Sequence, residues 1–271
     1  MEKTMMKKTG GAVTLGLLLL ATFGARAQTG SASKKSVTTS SAAAKPTIVL
    51  VHGAFADASS FQYVIPLLQD DGYNVVAVQN PLSSLGDDIA TTKRLIDAQK
   101  GPLVVVGHSY GGIVISGAAS GNPNVKALVY LAAFAPEANE PVGPLTDKYP
   151  TALGKALRPD AAGFLYIACD QVHDVFAADL PERAARVVCA TQKPVHNSVF
   201  GATIDSPAWK TIPSWYLVSR QDHALNPDLE RFYAKRMGAT TSEINASHVA
   251  FISHPKVVAR LIEKAATATA K

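Results

Sequence analysis

Residues 107–111 read Gly-His-Ser-Tyr-Gly, a serine placed between two glycines. Four apolar residues, Leu103–Val106, precede this pentapeptide, and a helical pattern, IVISGAA, follows it. A G-x-S-x-G sequence between a buried strand and a helix is typical of a sharp turn that holds a serine in a strained, projecting conformation. The arrangement predicts that Ser109 is a nucleophile for acyl transfer.

A serine hydroxyl needs a base to accept its proton, and the base needs an acid to orient it. Active-site residues of open α/β sheets lie just past the carboxyl ends of strands. His248 follows the last predicted strand by three residues, which predicts that it is the base. His254 is the alternative, but it precedes Pro255, where the final helix is expected to begin.

The acid is expected between the serine and the histidine in chain order. Asp222 lies three residues past the strand Ser214–Ser219 and is the predicted acid. Asp228 is an alternative in the first turn of the next helix, where a carboxylate complements the helix dipole. Glu137, after the strand that ends at Leu131, is a second alternative in the same layer.

A tetrahedral intermediate of acyl transfer needs two backbone donors for its oxyanion. The residue after the nucleophile, Tyr110, is expected to supply one N–H group. The loop after the first strand reads VHGAFADASSF, and there Gly53 permits a close approach of the backbone. The N–H of Ala54 is the predicted second donor.

These residues need a scaffold that brings strand ends together. Short β-branched runs alternate with longer helical patterns from Pro46 onward, which predicts an α/β fold: a mostly parallel sheet of about six strands flanked by helices. The domain is expected to span residues 46–271, with a mainly helical cap inserted at about 136–212. Five aromatic residues could line an apolar pocket below the cap or could belong to the core: Phe55, Phe134, Phe164, Tyr166 and Phe176.

The N-terminus predicts export. Lys7 and Lys8 precede the apolar stretch Ala12–Phe23, and Ala25-Arg26-Ala27 has the pattern of a cleavage site, so residues 1–27 are a predicted secretory signal peptide. An uncleaved anchor is the alternative. Residues 28–45 are rich in Ser, Thr and Ala and are expected to form a flexible leader. The mature protein is expected to be periplasmic or secreted, with no stable membrane anchor.

Charge and cysteine content narrow the possible partners. The net charge of +5 falls to +2 without residues 1–27, and no basic stripe occurs, so nucleic-acid binding is not expected. Cys169 and Cys189 are the two cysteines; in an exported protein they can pair, and two buried free thiols are the alternative. No Cys/His spacing typical of zinc is present, and we expect neither a metal nor another cofactor.

Taken together, VHGAFADASSF, VVVGHSYGG, SRQD and ASHVAF resemble the oxyanion loop, serine turn, acid turn and histidine loop of the α/β-hydrolase superfamily. The chain resembles small bacterial esterase-like hydrolases, which are similar to the plant methylesterase and hydroxynitrile lyase branch. The resemblance implies an α/β-hydrolase fold and a serine esterase. Its expected substrate is a small to medium, largely apolar ester or lactone, cleaved through an acyl-enzyme intermediate.

Three other functions remain open within this resemblance. Hydroxynitrile lyases use the same triad, but a Thr or Asn stands there at the position of Gly53, and in some a Lys at that of Val249. Both departures favour ester hydrolysis. Cofactor-free perhydrolase chemistry on the same triad is the second alternative, and a non-catalytic ligand-binding member of the fold is the third.

Overall fold

A computed structural model describes residues 45–269 of the chain. The predicted signal peptide and all of the predicted leader except Lys45 lie outside the described residues. The strands are β1 (Thr47–Val51), β2 (Val75–Val78), β3 (Leu103–His108), β4 (Val125–Leu131), β5 (Leu157–Pro159), β6 (Phe164–Ile167), β7 (Val195–His196), β8 (Ser214–Ser219) and β9 (Thr240–Ile244). The helices are α1 (Ile65–Asp70), α2 (Leu85–Asp97), α3 (Gly111–Ala118), α4 (Val142–Lys148), α5 (Leu153–Ala156), α6 (Val172–Phe176), α7 (Glu182–Thr191), α8 (Pro227–Arg236), α9 (Ala250–Ser253) and α10 (Pro255–Ala268).

The main sheet has six strands in the order β2-β1-β3-β4-β8-β9, and every neighbouring pair is parallel. Its central strands are buried on both faces, as their unbroken Val, Ile and Leu runs predict. Because all strands run in one direction, the loops after β1, β3, β8 and β9 meet at one edge. The predicted parallel sheet of about six strands is confirmed.

Helices cover this sheet and carry the ends of the site loops. Helix α3 packs against β3 and α2, whereas α10 packs against β4 and α1. Helix α8 follows β8 directly and packs back on it. Its N-cap is Asn226, whose side chain accepts from the Asp228 amide, and Pro227 occupies the first turn.

The segment between β4 and β8 lies outside the main sheet. It contains α4 to α7 and a separate three-stranded antiparallel sheet in the order β5-β6-β7. More residues of this segment lie in helices than in strands, in line with the prediction, but the small sheet was not predicted. Strands of two to four residues leave too short a pattern to be recognised from sequence. Within residues 45–269 no helix is both long and apolar enough to cross a membrane.

Candidate active site

The turn after β3 places Ser109 at the carboxyl edge of the main sheet. Its backbone has φ = +52°, in the left-handed region, which costs a non-glycine residue about 1 kcal/mol or more. The Ser109 amide donates to the Leu131 carbonyl at 3.1 Å, and the Ser109 carbonyl accepts from the amides of Gly112 and Phe134 at 2.9 and 3.1 Å. These bonds hold the strained turn, so the serine keeps a fixed position between strand and helix.

The two glycines around the serine are required by close backbone contacts. A Cβ atom on Gly107 would lie 2.6 Å from the carbonyl oxygen of Gly111, and one on Gly111 would lie 2.6 Å from that of Val51. Backbone atoms cannot move aside without displacing the turn or β1. The G-x-S-x-G pattern is therefore a packing requirement of this turn.

Asp222 and His248 form a buried pair beside the serine turn. Asp222 follows β8 and His248 follows β9, and Asp222 Oδ2 lies 2.5 Å from His248 Nδ1. The other carboxylate oxygen, Oδ1, accepts from the amides of Ala224 and Leu225 at 2.7 and 2.8 Å. The side chains of the pair are 0% and 2% exposed. The protein backbone thus fixes the carboxylate, and the carboxylate fixes the imidazole through Nδ1. The other ring nitrogen, Nε2, takes no part in this contact.

His108 supports the loop that carries His248. Its Nε2 donates to the His248 carbonyl at 2.9 Å, and the centroid of its ring lies 4.6 Å from those of His248 and Phe251. Burial holds the pKa of His108 well below its usual value, and the nearby His248 acts in the same direction. His108 is therefore neutral near pH 7 and serves as a hydrogen-bond donor to the loop.

Ser109 and His248 line one cavity of about 460 Å³. No direct hydrogen bond joins their side chains among the described residues. Ala54 and Tyr110 line the same cavity. Within residues 45–269 neither of their amides donates to a protein acceptor. The two predicted oxyanion donors therefore stand free beside the serine.

The predicted pocket residues divide into two groups. Phe55, Phe134 and Phe176 line the cavity. Phe164 and Tyr166 do not, which corrects their prediction. Side chains alternate along a strand, and Leu165 is the residue of β6 that lines the cavity, so its two neighbours point to the other face.

A family model described as the alpha/beta hydrolase family matches residues 48–261 of the chain. The chain belongs to the alpha/beta hydrolase family. This confirms the family that the sequence motifs indicated, and the fold of the described residues agrees with it.

Relatives of this alpha/beta hydrolase occur in fungi and bacteria. An alpha/beta hydrolase of Aspergillus novofumigatus is 29% identical over 247 residues, which are 82% of this chain and 97% of that protein. A pyrethroid hydrolase of Sphingobium wenxiniae is 26% identical over 259 residues, 83% of this chain and 89% of the relative. The solved structure of an extracellular alpha/beta-hydrolase from a Paenibacillus species has a TM-score of 0.71 at 21% identity, and the match covers 82% of this chain and 99% of that one.

The alternative base and acids of this hydrolase are engaged elsewhere. His254 is 38% exposed, and its Nδ1 lies 2.8 Å from the Ser253 hydroxyl. Asp228 is largely exposed and pairs with Arg231 on its own helix at 2.8 Å. Glu137 pairs with Lys210 at 2.5 Å. Asp222 is the carboxylate that reaches His248.

The two cysteines lie in the segment between β4 and β8. Cys169 and Cys189 are joined by a disulfide, with their Cα atoms 5.4 Å apart. The bridge links the chain just before α6 to helix α7, and the last residue of α6, Phe176, lines the cavity. The disulfide therefore braces one wall of the candidate site.

Two acidic residues near the site were missed from the sequence. Glu230 on α8 is fully buried behind Asp222, and Asp179, between α6 and α7, contacts the residue before His248. Glu230 shares a buried helix face with Leu229 and Tyr233. A charged residue within an apolar helical face was the available signal for Glu230. No local signal pointed to Asp179, whose partner is 68 residues away.

Proposed function

We propose that the chain is a serine esterase that cleaves a small to medium, largely apolar carboxylic ester or lactone through an acyl-enzyme intermediate. Ser109 is the nucleophile, His248 the base and Asp222 the acid that orients it. The observation that carries this proposal is the buried contact of 2.5 Å between Asp222 and His248 in the same cavity as a strained serine. A carboxylate, an imidazole and a serine in these roles are the components of acyl transfer.

The reaction follows from the atoms that each residue offers. The Nε2 atom of His248 takes the proton of the Ser109 hydroxyl as Oγ attacks the ester carbonyl carbon. We infer that the contact between Oγ and Nε2 closes when the ester enters, since such contacts tighten in the complex. The oxyanion accepts from the amides of Ala54 and Tyr110, and Asp222 stabilises the imidazolium.

Collapse of the tetrahedral intermediate breaks the bond to the leaving alcohol, which receives its proton from His248. Water then attacks the acyl-enzyme, gives a proton to the same histidine and releases the acid. Ser109 recovers its proton in the last step. The cycle consumes one water per ester and needs no cofactor.

The cavity favours uncharged, apolar substrates. The hydroxyl groups of Thr146 and Thr151 are already bonded, to the carbonyls of Gly143 and Ala224 at 2.7 and 3.2 Å. Asp147 is the one carboxylate that lines the cavity among the described residues, and it would repel an anionic substrate. The esterase proposal also agrees with the name of the Sphingobium relative, a pyrethroid hydrolase.

Covalent labelling tests the nucleophile directly. A fluorophosphonate should add to Ser109, and mass spectrometry of the peptides locates the adduct. Ser109→Ala should abolish labelling and lower kcat for p-nitrophenyl esters by about 10⁶-fold. A variant that keeps more than a tenth of the turnover would exclude Ser109 as the nucleophile, and an unlabelled wild type would favour a non-catalytic binding protein.

Cyanohydrin cleavage is the competing chemistry, and two residues argue against it. Glycine at position 53 offers no side chain to seat a substrate hydroxyl, and Val249 is a buried, uncharged residue beside His248. We expect ester turnover without cyanide release from mandelonitrile. Cyanide release with little ester turnover in one preparation would reverse this assignment.

Export of the protein is also a proposal, carried by the sequence pattern of residues 1–27. Cleavage after Ala27 would give a mature chain that begins at Gln28. Sequencing the N-terminus of the protein recovered from the periplasm or the medium tests this directly. A full-length chain in the membrane fraction would instead support the uncleaved anchor.

A further inference from the structure

Glu230 lies directly behind the proposed acid of the triad. It is the fourth residue of α8, its side chain is fully buried, and its carboxyl group lies close enough to that of Asp222 for the two to interact. Both residues bond to Ser219, since the Asp222 amide donates to the Ser219 carbonyl at 3.2 Å. The Oε2 atom accepts from the Ser219 amide at 3.0 Å, at the end of β8. The Oε1 atom has no N–H or O–H partner among the described residues. A second carboxyl group therefore lies behind Asp222, on the side away from His248.

Two neighbouring buried carboxyl groups cannot both be ionised, because like charges repel strongly without water between them. Asp222 receives two backbone amides and the imidazole, all of which stabilise its charged form. Glu230 receives one amide. Burial raises the pKa of Glu230 well above its usual value, and the charge of Asp222 raises it further. The proton shared by the two groups belongs on Glu230.

We propose that Glu230 is a positioning residue: a neutral carboxylic acid whose Oε1–H donates a hydrogen bond to the Asp222 carboxylate and so fixes that carboxylate against His248. The inference rests on the proposed function, because it assigns a role relative to the triad. It also accounts for the Oε1 atom, which has no other partner within residues 45–269. Glu230 does not touch substrate, and no proton leaves it during turnover.

The surroundings of Glu230 are consistent with a neutral group. Tyr216 on β8 and Tyr233 on α8 are buried nearby, and burial raises the pKa of each phenol, so both are neutral. Arg231 is the next residue on α8, but its side chain is 41% exposed and pairs with Asp228 and Glu243. No buried cation among the described residues balances a charge on Glu230.

Isosteric substitution separates the role of the proton from that of the charge. In Glu230→Gln, the amide oxygen can accept from Ser219 and the NH₂ group can donate to Asp222, so kcat should stay within about threefold of wild type. Glu230→Leu removes both bonds and should lower kcat by about 10- to 100-fold with little change in KM, because Asp222 loses its fixed position. Ser116→Ala removes a buried hydroxyl that bonds to Gly112 and Tyr130. It is the matched control and should leave kcat unchanged.

The pH profile tests the charge even where Glu230→Leu fails to fold. If Glu230 is neutral, the acid limb of kcat/KM is the same in wild type and Glu230→Gln. An ionised Glu230 would stabilise the imidazolium, so its replacement by Gln would move the acid limb to lower pH by about one unit or more. Such a shift, or a Glu230→Gln variant as slow as Glu230→Leu, overturns the proposal.

A spectroscopic measurement is independent of turnover. The infrared difference spectrum between wild type and Glu230→Gln at pH 7 should contain the carbonyl band of a protonated carboxylic acid. A carboxylate band in its place would disprove the neutral state of Glu230. If the band is present but no serine-dependent ester turnover exists, the proposed function fails while the protonation state of Glu230 stands.

Discussion

At the scale of single residues, the candidate chemistry depends on a strained serine and on the buried contact between Asp222 and His248. Asp222 Oδ2 and His248 Nδ1 lie 2.5 Å apart, and both side chains are buried. An electrostatic contact is stronger in such surroundings than in water. Removal of one member leaves the other buried without a partner. Substitution of Asp222 or His248 should therefore lower activity strongly, whereas substitution of a nearby residue of the same type should have little effect.

The two histidines near the C-terminus offer a matched comparison. His248→Ala should lower kcat/KM by about 10⁴-fold or more, because the proton of Ser109 then has no acceptor. His254→Ala should change it by about twofold at most, since His254 is partly exposed. Both variants are measured with p-nitrophenyl acetate. A larger loss in His254→Ala than in His248→Ala would show that His248 is not the base.

Gly53 is sensitive for steric reasons. A Cβ atom at this position would lie 2.7 Å from Ser109 Cβ and 2.9 Å from the His108 carbonyl oxygen. Gly53→Thr should displace the loop that carries the Ala54 amide and lower kcat by about 10²- to 10³-fold, the effect of one lost oxyanion donor. Gly86→Thr is the control, because the nearest atom to its Cβ would be 3.9 Å away. Equal activity of the two variants would contradict the assigned donor.

Site residues that follow a recognisable strand can be predicted from the sequence. Site residues that reach the site only through the packing of a helix cannot. Ser109, Asp222 and His248 each come within a few residues of a β-rich run, so their common edge could be deduced. Glu230 lies within a helix, and acidic residues in helices usually face solvent. Only the packing of α8 against β8 shows that its side chain points to Asp222.

At the scale of elements, the inserted segment supports the histidine loop. Asp179, between α6 and α7, accepts from the amide of Ser247 at 3.0 Å and from its hydroxyl at 2.5 Å. Ser247 immediately precedes His248. The inserted segment thus forms part of the cavity wall and also restrains the loop that carries the proposed base.

This restraint gives a prediction for the rate. Asp179→Ala should lower kcat by about 10- to 100-fold by loosening His248, since a small displacement of a catalytic group is costly. Asp174→Ala is the matched control, because that carboxylate is 76% exposed and contacts only His173 through its side chain among the described residues. Steady-state kinetics with one ester compares them, and an unchanged kcat in Asp179→Ala would remove the loop restraint from the mechanism.

In the short strands of the inserted segment, the sequence pattern does not show which side chains face the cavity. The run Phe164–Ile167 is apolar throughout, so the sequence does not indicate which face is buried. Its pairing with β5 and β7 orients Leu165 toward the cavity, and this pairing depends on residues up to 32 positions away. The longer run Ser214–Ser219, in contrast, carried enough pattern to give the same boundaries as β8 in the structure.

At the scale of the whole molecule, buried histidines make folding depend on pH. His52 is fully buried, its Nδ1 bonds to the Gly53 carbonyl at 2.9 Å, and its Nε2 accepts from the Asn80 amide at 3.1 Å. Burial lowers the pKa of His52 to about 4, whereas the unfolded chain has an ordinary histidine. Below an ordinary histidine pKa the unfolded state therefore binds a proton that the folded state does not.

The sign of this linkage predicts a loss of stability in acid. The contribution of His52 is fully present above pH 7 and is lost as the pH falls toward about 4. Between pH 7 and pH 5 it should lower the free energy of unfolding by about 2 kcal/mol. Buried Asp88 and Glu230 act in the opposite direction, because their raised pKa values favour the folded state as the pH falls.

A variant isolates the histidine from these carboxyl groups. In His52→Gln the residue no longer titrates, while Asp88 and Glu230 are retained, so the difference in unfolding free energy from wild type cancels their effects. Urea unfolding at pH 7 and pH 5 should give a difference between the two proteins that shrinks at pH 5 by about 2 kcal/mol. The wild type thus loses, as the pH falls, a contribution of His52 to its unfolding free energy that the variant lacks. A difference that is the same at both pH values would mean that His52 has the same pKa in the folded and the unfolded protein.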